Sequence, residues 1–155
     1  MKAEQVNKQF REAGLTLGSV ESFTGGLFAS TITSIGGASK FYKGGYITYA
    51  TEEKINLIAV PKNEIEAHGV VSREVAYYMA NNARQLLKVD VCVSFTGNAG
   101  PEAMEGKPVG EVHIGIATQA MAQVYSLLLK GNRKEIQEQA VEFALDKLLE
   151  INQKK

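Results

Sequence analysis

The sequence has one cysteine, no excess charge of either sign and no apolar run long enough to cross a membrane. Seventeen basic residues balance seventeen acidic ones, which argues against a protein that grips nucleic acid through a basic face. The lone Cys92 can form neither an internal disulfide nor a cysteine-type zinc site, and its apolar neighbours favour a buried structural thiol over a catalytic one. The N-terminus carries no apolar signal core. We therefore expect a cytoplasmic protein that binds neither membranes nor nucleic acid.

The remaining composition is that of an ordinary globular protein. Hydrophobic residues make up 45% of the chain and charged residues 22%. A length of 155 residues is enough for one sizeable core. Because no repeat, low-complexity tract or linker divides the sequence, we predict a single domain over residues 1–155.

Hydrophobic periodicity predicts about five strands with helices between most of them. The segment from Asp90 to Phe95 is continuously apolar, as in a strand that is buried on both faces. Gly14 and Ser72 suit the end of the first helix and the start of a longer central helix. The alternation of predicted strands and helices indicates an α/β fold, a three-layer α/β/α sandwich with a mixed sheet. It does not give the strand order. The predicted strands span residues 15–22, 45–49, 90–95, 109–118 and 123–130.

Ser22 lies at the first predicted strand-to-helix junction, within the segment Glu21-Ser22-Phe23-Thr24-Gly25-Gly26. Such a junction can expose a hydroxyl next to the free N–H groups of a helix N-terminus, which suit an oxyanion or a phosphate. The alternative is a helix cap whose glycines only permit a tight turn. Taken alone, this segment favours the cap.

Tyr49 and Lys54 follow the second predicted strand. Their polar ends can converge on one cavity if Tyr49 ends the strand and Lys54 lies in the next helical turn. A lysine base must be neutral, so its pKa would have to fall from about 10.4 to about 7–8. The alternative is a surface lysine that pairs with Glu52 or Glu53, and this segment alone favours that alternative.

A third segment, Thr96-Gly97-Asn98-Ala99-Gly100-Pro101, follows the most apolar strand. Its glycines let backbone amides approach a ligand closely. It is not a nucleotide-binding Walker loop, because no Gly-Lys-Ser or Gly-Lys-Thr follows. A loop of this length in so small a domain is more often functional than not.

The joint order and spacing of these segments resemble the CinA C-terminal domain family over about residues 3 to 150. Chance is a poor explanation for several independent motifs in the same order. They are Glu-Ser-x-Thr-Gly-Gly at 21–26, Gly-Gly-Ala-Ser at 36–39, Tyr49 with Lys54, His-Gly-Val-Val-Ser at 68–72, Thr-Gly-x-Ala-Gly-Pro at 96–101, Lys-Pro-Val-Gly at 107–110 and Gly-Asn-Arg at 131–133.

The resemblance implies an amidohydrolase that converts nicotinamide mononucleotide to nicotinic acid mononucleotide and ammonia, in a family linked by name to competence and DNA damage. Ser22 matches the family's nucleophile, Lys54 its base and Tyr49 a residue that relays or orients the proton. The resemblance implies no metal or cofactor, a pyridine nucleotide as the small-molecule partner, and we expect self-association. The residues expected to bind substrate are Thr24, Gly25, Gly26, Ser39, Thr96, Gly97, Ala99, Gly100 and Arg133.

Two departures from the family pattern bear on activity. Phe23 stands where the family usually has cysteine, and its ring either narrows the cavity or faces the core. Glu102-Ala103-Met104-Glu105-Gly106 replaces a glycine-rich run, and two carboxylates near a phosphate would be unfavourable. They keep two alternatives open: a catalytically weak or silent nucleotide-binding module, and a hydrolase of another small amide.

Overall fold

The computed structural model describes residues 1–151, so residues 152–155 of the predicted domain lie outside the described residues. The helices are α1 (Lys2–Ala13), α2 (Leu27–Thr33), α3 (Thr51–Asn56), α4 (Lys62–His68), α5 (Arg73–Leu87) and α6 (Arg133–Ile151), with a short 3₁₀ turn at Ala38–Lys40. The strands are β1 (Leu17–Glu21), β2 (Tyr42–Ile47), β3 (Val91–Gly97), β4 (Glu111–Thr118) and β5 (Ala122–Leu128).

The five strands form one mixed sheet in the order β2-β1-β3-β4-β5. Strand β1 runs parallel to both β2 and β3, whereas β4 is antiparallel to β3 and to β5. The carboxyl ends of the three parallel strands therefore share one edge of the sheet. That edge brings together Ser22, the residues that follow Ile47, and the end of β3, which is where open α/β sheets commonly bind ligands.

Helices cover both faces of the sheet and make the predicted three layers. On one face α1, α2 and α6 bury the larger core, which includes Phe10, Phe28 and Leu145. On the other face α5 packs against the sheet, and Met79 lies there beside Cys92. Cys92 is fully buried, as expected of a structural thiol, and burial raises the pKa of its thiol well above the ordinary range.

The predicted helix ends are confirmed at two positions. Gly14 ends α1 in the left-handed conformation, with φ 68°, which glycine adopts without steric penalty. The Ser72 hydroxyl accepts a hydrogen bond from the Val75 amide at 3.2 Å and so caps α5. None of the helices within residues 1–151 has both the length and the apolar composition needed to cross a membrane.

Strand β2 differs from its predicted span of residues 45–49. It occupies Tyr42–Ile47, so Tyr49 lies beyond the strand rather than at its end. The first half of β2 contains glycines, which have a low strand propensity, and pairing with β1 holds them in the sheet despite that. Gly45 is required there, because an added Cβ would lie 2.5 Å from the Ser19 carbonyl oxygen.

Helix α4 has no counterpart in the prediction. Pro61 immediately precedes the first residue of α4. Proline is well tolerated at the start of a helix, because the N–H that it lacks has no intrahelical partner there. Helix α4 leads through residues 69–72 into α5, and this connection borders the site described below.

Candidate active site

The central feature of the site is a direct contact between Lys54 and Ser22. Lys54 Nζ lies 3.0 Å from Ser22 Oγ and donates a second hydrogen bond of 2.7 Å to the Thr48 carbonyl oxygen. Lys54 is only 1% exposed and Ser22 9%. Burial lowers the pKa of Lys54 to about 8, against a smaller opposing effect of the Glu105 carboxylate. A surface lysine paired with Glu52 or Glu53 is therefore the wrong interpretation.

Backbone hydrogen bonds at the sheet edge bring these two side chains together. The Ser22 amide donates to the Phe95 carbonyl at 3.0 Å, which fixes the residue after β1 against β3. The Thr48 amide donates to the Glu21 carbonyl at 2.9 Å, which fixes the residue after β2 against β1. Helix α3 then starts at Thr51 and turns Lys54 inward, while Glu52 stays exposed and Glu53 is half-buried.

Glu21 occupies the helix N-terminus that was expected to bind an anion. Its carboxylate, 1% exposed, accepts a 2.6 Å hydrogen bond from Thr24 Oγ1. It also accepts from the amides of Gly26, Phe28 and Ala29 at 3.2, 3.0 and 3.0 Å. Because these donors are already used, the start of α2 does not serve a substrate oxyanion or phosphate.

Thr24, Gly25 and Gly26 are therefore corrected from ligand contacts to parts of a structural turn. None of the three lines the cavity at Ser22. The Gly25 amide donates to the Ser22 carbonyl at 3.0 Å, and both glycines have positive φ values of 56° and 102°. The glycines permit a tight turn, as the cap alternative expected, but the acceptor for the helix amides is the Glu21 carboxylate rather than a serine or threonine hydroxyl.

A cavity of about 170 Å³ opens over the Ser22–Lys54 pair. Its walls come from the ends of the parallel strands, the loop after β3 and the start of α6. The lining residues are Ser22, Phe23, Tyr49, Thr51, Lys54, Val70, Thr96, Gly97, Asn98, Ala99, Met104 and Arg133.

Arg133 and Tyr49 lie together at the mouth of this cavity. Arg133 Nη2 donates to the Tyr49 hydroxyl at 3.0 Å and Nη1 donates to the Gly100 carbonyl at 2.5 Å. Both side chains are largely exposed. The expected role of Tyr49 as a proton relay is not needed in this geometry, because Lys54 contacts Ser22 directly. The pair instead places a positive charge and a hydroxyl where a substrate anion could bind.

Ser39 is not part of this site. It lies in the turn before β2, whereas Tyr49 follows β2, so the two residues are at opposite edges of the parallel part of the sheet. Ser39 lines a separate cavity with Gly36, Gly37 and Tyr42. The structure therefore does not place Ser39 with Ser22 and Lys54, as the sequence had suggested, because that expectation depended on a strand order that the sequence did not give.

The loop after β3 contributes much as predicted. Thr96, Gly97 and Ala99 line the cavity. Gly100 contributes to the loop rather than to the lining, because its amide donates to Asn98 Oδ1 at 3.0 Å and its carbonyl accepts from Arg133. Asn98 was not predicted as a site residue, although an asparagine among glycines is a common signal of a self-bonded turn.

Several other residues of the site were missed. Thr51, Val70 and Met104 line the cavity without belonging to any segment that indicated a ligand site. Glu21 had a usable signal: an acidic residue at the end of an apolar strand needs a buried partner. The contacts of Glu105 join segments about 35 positions apart in sequence, which no local pattern reveals.

The two departures from the family pattern have clear positions. Phe23 is buried in the larger core and also forms part of the cavity wall, and its carbonyl accepts a 2.7 Å hydrogen bond from Gln137 Nε2 of α6. Glu105 bonds to backbone amides of residues 70 and 71, while Glu102 is exposed. The expected repulsion between the Glu105 carboxylate and a substrate phosphate is therefore reduced, because this carboxylate already accepts hydrogen bonds from two N–H groups.

Within residues 1–151, no three histidine, cysteine, aspartate or glutamate side chains are grouped so as to hold a metal ion. The expectation of a reaction without metal or cofactor stays a prediction. What the site contains is a hydroxyl, a buried amine and a guanidinium, which together suit nucleophilic attack on a substrate that carries an anionic group.

Comparisons with known proteins all point to one protein family. The model of the CinA C-terminal domain matches residues 1–152. A competence-damage inducible protein of Bacillus mycoides is 42% identical over 134 residues, 86% of this chain and 32% of that protein. One from Bacillus pumilus is 35% identical over 147 residues, 95% of this chain and 35% of that protein. The chain thus spans about a third of the length of these curated relatives.

Solved structures share the fold over nearly the whole chain. The competence/damage inducible protein CihA from Agrobacterium tumefaciens has a TM-score of 0.93 at 31% identity, covering 97% of this chain and 93% of that one. A competence-damaged protein superfamily member from Escherichia coli has a TM-score of 0.92 at 29% identity, covering 96% and 87%.

Proposed function

The chain belongs to the CinA C-terminal domain family, and from that premise we propose that it is an amidohydrolase that acts on nicotinamide mononucleotide. The products would be nicotinic acid mononucleotide and ammonia. The observation that carries the proposal is the buried contact between Lys54 Nζ and Ser22 Oγ at 3.0 Å, at the wall of a small cavity. A hydroxyl beside an amine of lowered pKa is the arrangement that serine–lysine hydrolysis requires.

In the first half of the reaction, neutral Lys54 accepts the Ser22 proton as Oγ attacks the carboxamide carbon. The carbonyl oxygen becomes an oxyanion in the tetrahedral intermediate. Gly97 lines the cavity after β3, and backbone N–H groups there are the proposed donors to that oxyanion, since those of α2 bond to Glu21. Lys54, now protonated, returns its proton to the nitrogen that departs as ammonia.

In the second half, water attacks the ester formed on Ser22. Lys54 accepts a proton from this water, and Ser22 Oγ is regenerated as the leaving group by taking that proton back. The acid product is released as its carboxylate. Each proton that Lys54 accepts is passed on within the same half-reaction, so one titratable group supports both steps.

Arg133 is the proposed anchor for the phosphate of the nucleotide. Its guanidinium lies at the cavity mouth, and its planar set of N–H donors and its positive charge suit the oxygens of a phosphate. The small cavity takes the pyridine ring and its carboxamide, so the charged end of the substrate remains near Arg133. This assignment replaces the helix N-terminus and Ser39 as the proposed phosphate contacts.

A nucleotide-binding module with little or no turnover is the second candidate. It is favoured by the limited cavity volume of about 170 Å³, part of whose wall is the bulky Phe23. Ammonia release from a panel of pyridine nucleotides and simple carboxamides separates the candidates, with Ser22→Ala as control. Release from the mononucleotide that depends on Ser22 supports the amidase; tight binding without release supports the silent module; release only from simple amides redirects the substrate.

A further inference from the structure

We propose that Glu105 is a positioning residue that holds residues 104–107 as a preformed roof over the Ser22–Lys54 pair. In this chain the substrate would then enter a site that is already covered, rather than closing a flexible loop around itself. The expected effect of the roof on the pH dependence of catalysis rests on the proposed function, whereas the attachment of the hairpin by Glu105 does not.

The roof is a tight β-hairpin turn. The Lys107 amide donates to the Met104 carbonyl at 2.8 Å, and the two residues form an antiparallel bridge. Glu105 and Gly106 between them have φ values of 56° and 72°. Two successive left-handed residues define the type I′ turn that suits two-residue hairpins. Glutamate is not a favoured residue at such a position, so its side-chain contacts must offset a local conformational penalty.

The Glu105 carboxylate attaches this turn to the connection between α4 and α5. Its two oxygens accept hydrogen bonds from the consecutive amides of Val70 and Val71, both at 3.0 Å. Charge-assisted bonds of this kind are among the stronger ones in proteins. Gly69 permits the approach, because a Cβ at that position would lie 2.6 Å from Glu105 Oε1.

Lys107 adds a second attachment from the other side of the turn. Its Nζ donates to the carbonyl oxygen of His68 at 2.6 Å and to that of Val71. It also lies 3.8 Å from Glu105 Oε1. Glu105 thus binds backbone N–H donors, and Lys107 binds backbone carbonyl acceptors, of the same short segment, residues 68–71.

This attached roof is continuous with the catalytic cavity. Met104 from the hairpin and Val70 from the connection both line it. The Val70 carbonyl accepts a 2.7 Å hydrogen bond from Thr96 Oγ1 at the end of β3. Roof, connection and strand end therefore form one hydrogen-bonded unit, which lines the same cavity as Lys54.

The surroundings of Lys54 give the roof a measurable effect. Burial is the larger cause of its lowered pKa, and the Glu105 charge acts in the opposite direction. Releasing the roof would hydrate Lys54 and raise its pKa, whereas removing only the charge would lower it. Tyr49 and Arg133 are the other titratable groups that line the cavity. The Glu105 charge acts on Lys54 from the hairpin, with Lys107 beside it. On the helix of Lys54 itself, Glu52 is exposed and Glu53 is half-buried.

The first test does not depend on activity. Glu105→Gln places an N–H group opposite one of the two amides, so hydrogen exchange at Val70 or Val71 should accelerate at least about tenfold. Glu102→Gln is the matched control: it removes the same charge from an exposed side chain of the same loop and should leave these amides protected. Unchanged exchange in Glu105→Gln would overturn the proposed attachment, whether or not the protein is an amidase.

The second test uses the pH dependence of kcat/KM for the mononucleotide. Glu105→Asp keeps the charge but shortens the reach to the two amides, so roof release predicts an alkaline shift of the ascending limb for Asp. It predicts a smaller alkaline shift for Gln, because loss of the Glu105 charge partly offsets the effect of hydrating Lys54. An electrostatic role alone predicts an acid shift for Gln and no shift for Asp, and either result would overturn the roof. A profile unchanged in both variants would overturn it as well.

Discussion

Glu21 and Ser22 are neighbours in sequence, yet their side chains serve different parts of the molecule. The Glu21 carboxylate accepts four hydrogen bonds from the turn and first residues of α2, while Ser22 Oγ lies 3.0 Å from Lys54 Nζ. The first residue fixes the turn on which the second is held. A buried charge with several donors is a rigid support, so Ser22, the proposed nucleophile, is positioned by the residue immediately before it.

Ser22→Ala should abolish ammonia release while leaving nucleotide binding nearly unchanged. The substitution removes the attacking oxygen but little of the cavity wall, so turnover should fall by at least about 10³-fold. Calorimetric binding and an ammonia assay on the same preparation measure both effects. Activity within about tenfold of wild type, a barrier change of only about 1.4 kcal/mol, would exclude the nucleophile role.

Activity should rise with pH through the titration of Lys54. Burial lowers the pKa of this amine to about 8; below that value Lys54 is charged and cannot accept the Ser22 proton, and above it the neutral base predominates. The limb of kcat/KM against pH should therefore ascend around pH 8. A flat profile between pH 6 and about 10 would contradict a lysine base, whose titration must fall in that range.

Lys54→Arg separates a base from a simple positive charge. Guanidinium keeps its proton over the whole working range, so this variant should lose activity by about 10²–10⁴-fold, as Lys54→Ala does. Thermal unfolding of both variants controls for loss of structure. An active arginine variant with the wild-type pH profile would remove Lys54 from the mechanism.

Arg133→Ala should weaken the nucleotide more than the matching nucleoside. Loss of one charge-assisted phosphate contact is worth about 1.5–3 kcal/mol, or about 10–100-fold in affinity. Ser39→Ala serves as a control, because this residue lies at the other edge of the sheet. Comparing dissociation constants for both ligands in both variants tests the assignment; equal losses for nucleotide and nucleoside would argue against a phosphate contact.

Glu21→Gln should destabilise the fold. The substitution replaces one of the two carboxylate oxygens by an NH₂ group, which faces other hydrogen-bond donors in a buried position. This mismatch should lower the free energy of unfolding by about 2–4 kcal/mol. Glu12→Gln at an exposed position of α1 is the comparison, with an expected change below about 0.5 kcal/mol. Urea titration of both proteins measures the difference. If the two variants were equally stable, Glu21 would not be the support described above.

Local sequence patterns predicted the sheet and most helices, since period-two and helical hydrophobic spacing report directly on buried faces. The Ser22–Lys54 pair was expected only from the resemblance to the family, because each segment alone favoured a helix cap and a surface lysine. They failed for Tyr42–Gly44, where pairing with β1 overrides glycine's low strand propensity. Ser39 was misplaced because its position relative to Ser22 depends on strand direction and order. The attachment of Glu105 could not be predicted, because it requires two distant segments to meet.

Helix α6 contributes Arg133 and Gln137 to the site and packs against α1, where Gln9 Nε2 donates to the Leu149 carbonyl at 3.1 Å. The ribosome makes Ser22 and Lys54 well before it makes this helix. A chain that stops short of α6 therefore contains Ser22 and Lys54 but lacks Arg133, the proposed phosphate anchor. On that proposal, such a chain would retain nucleotide poorly.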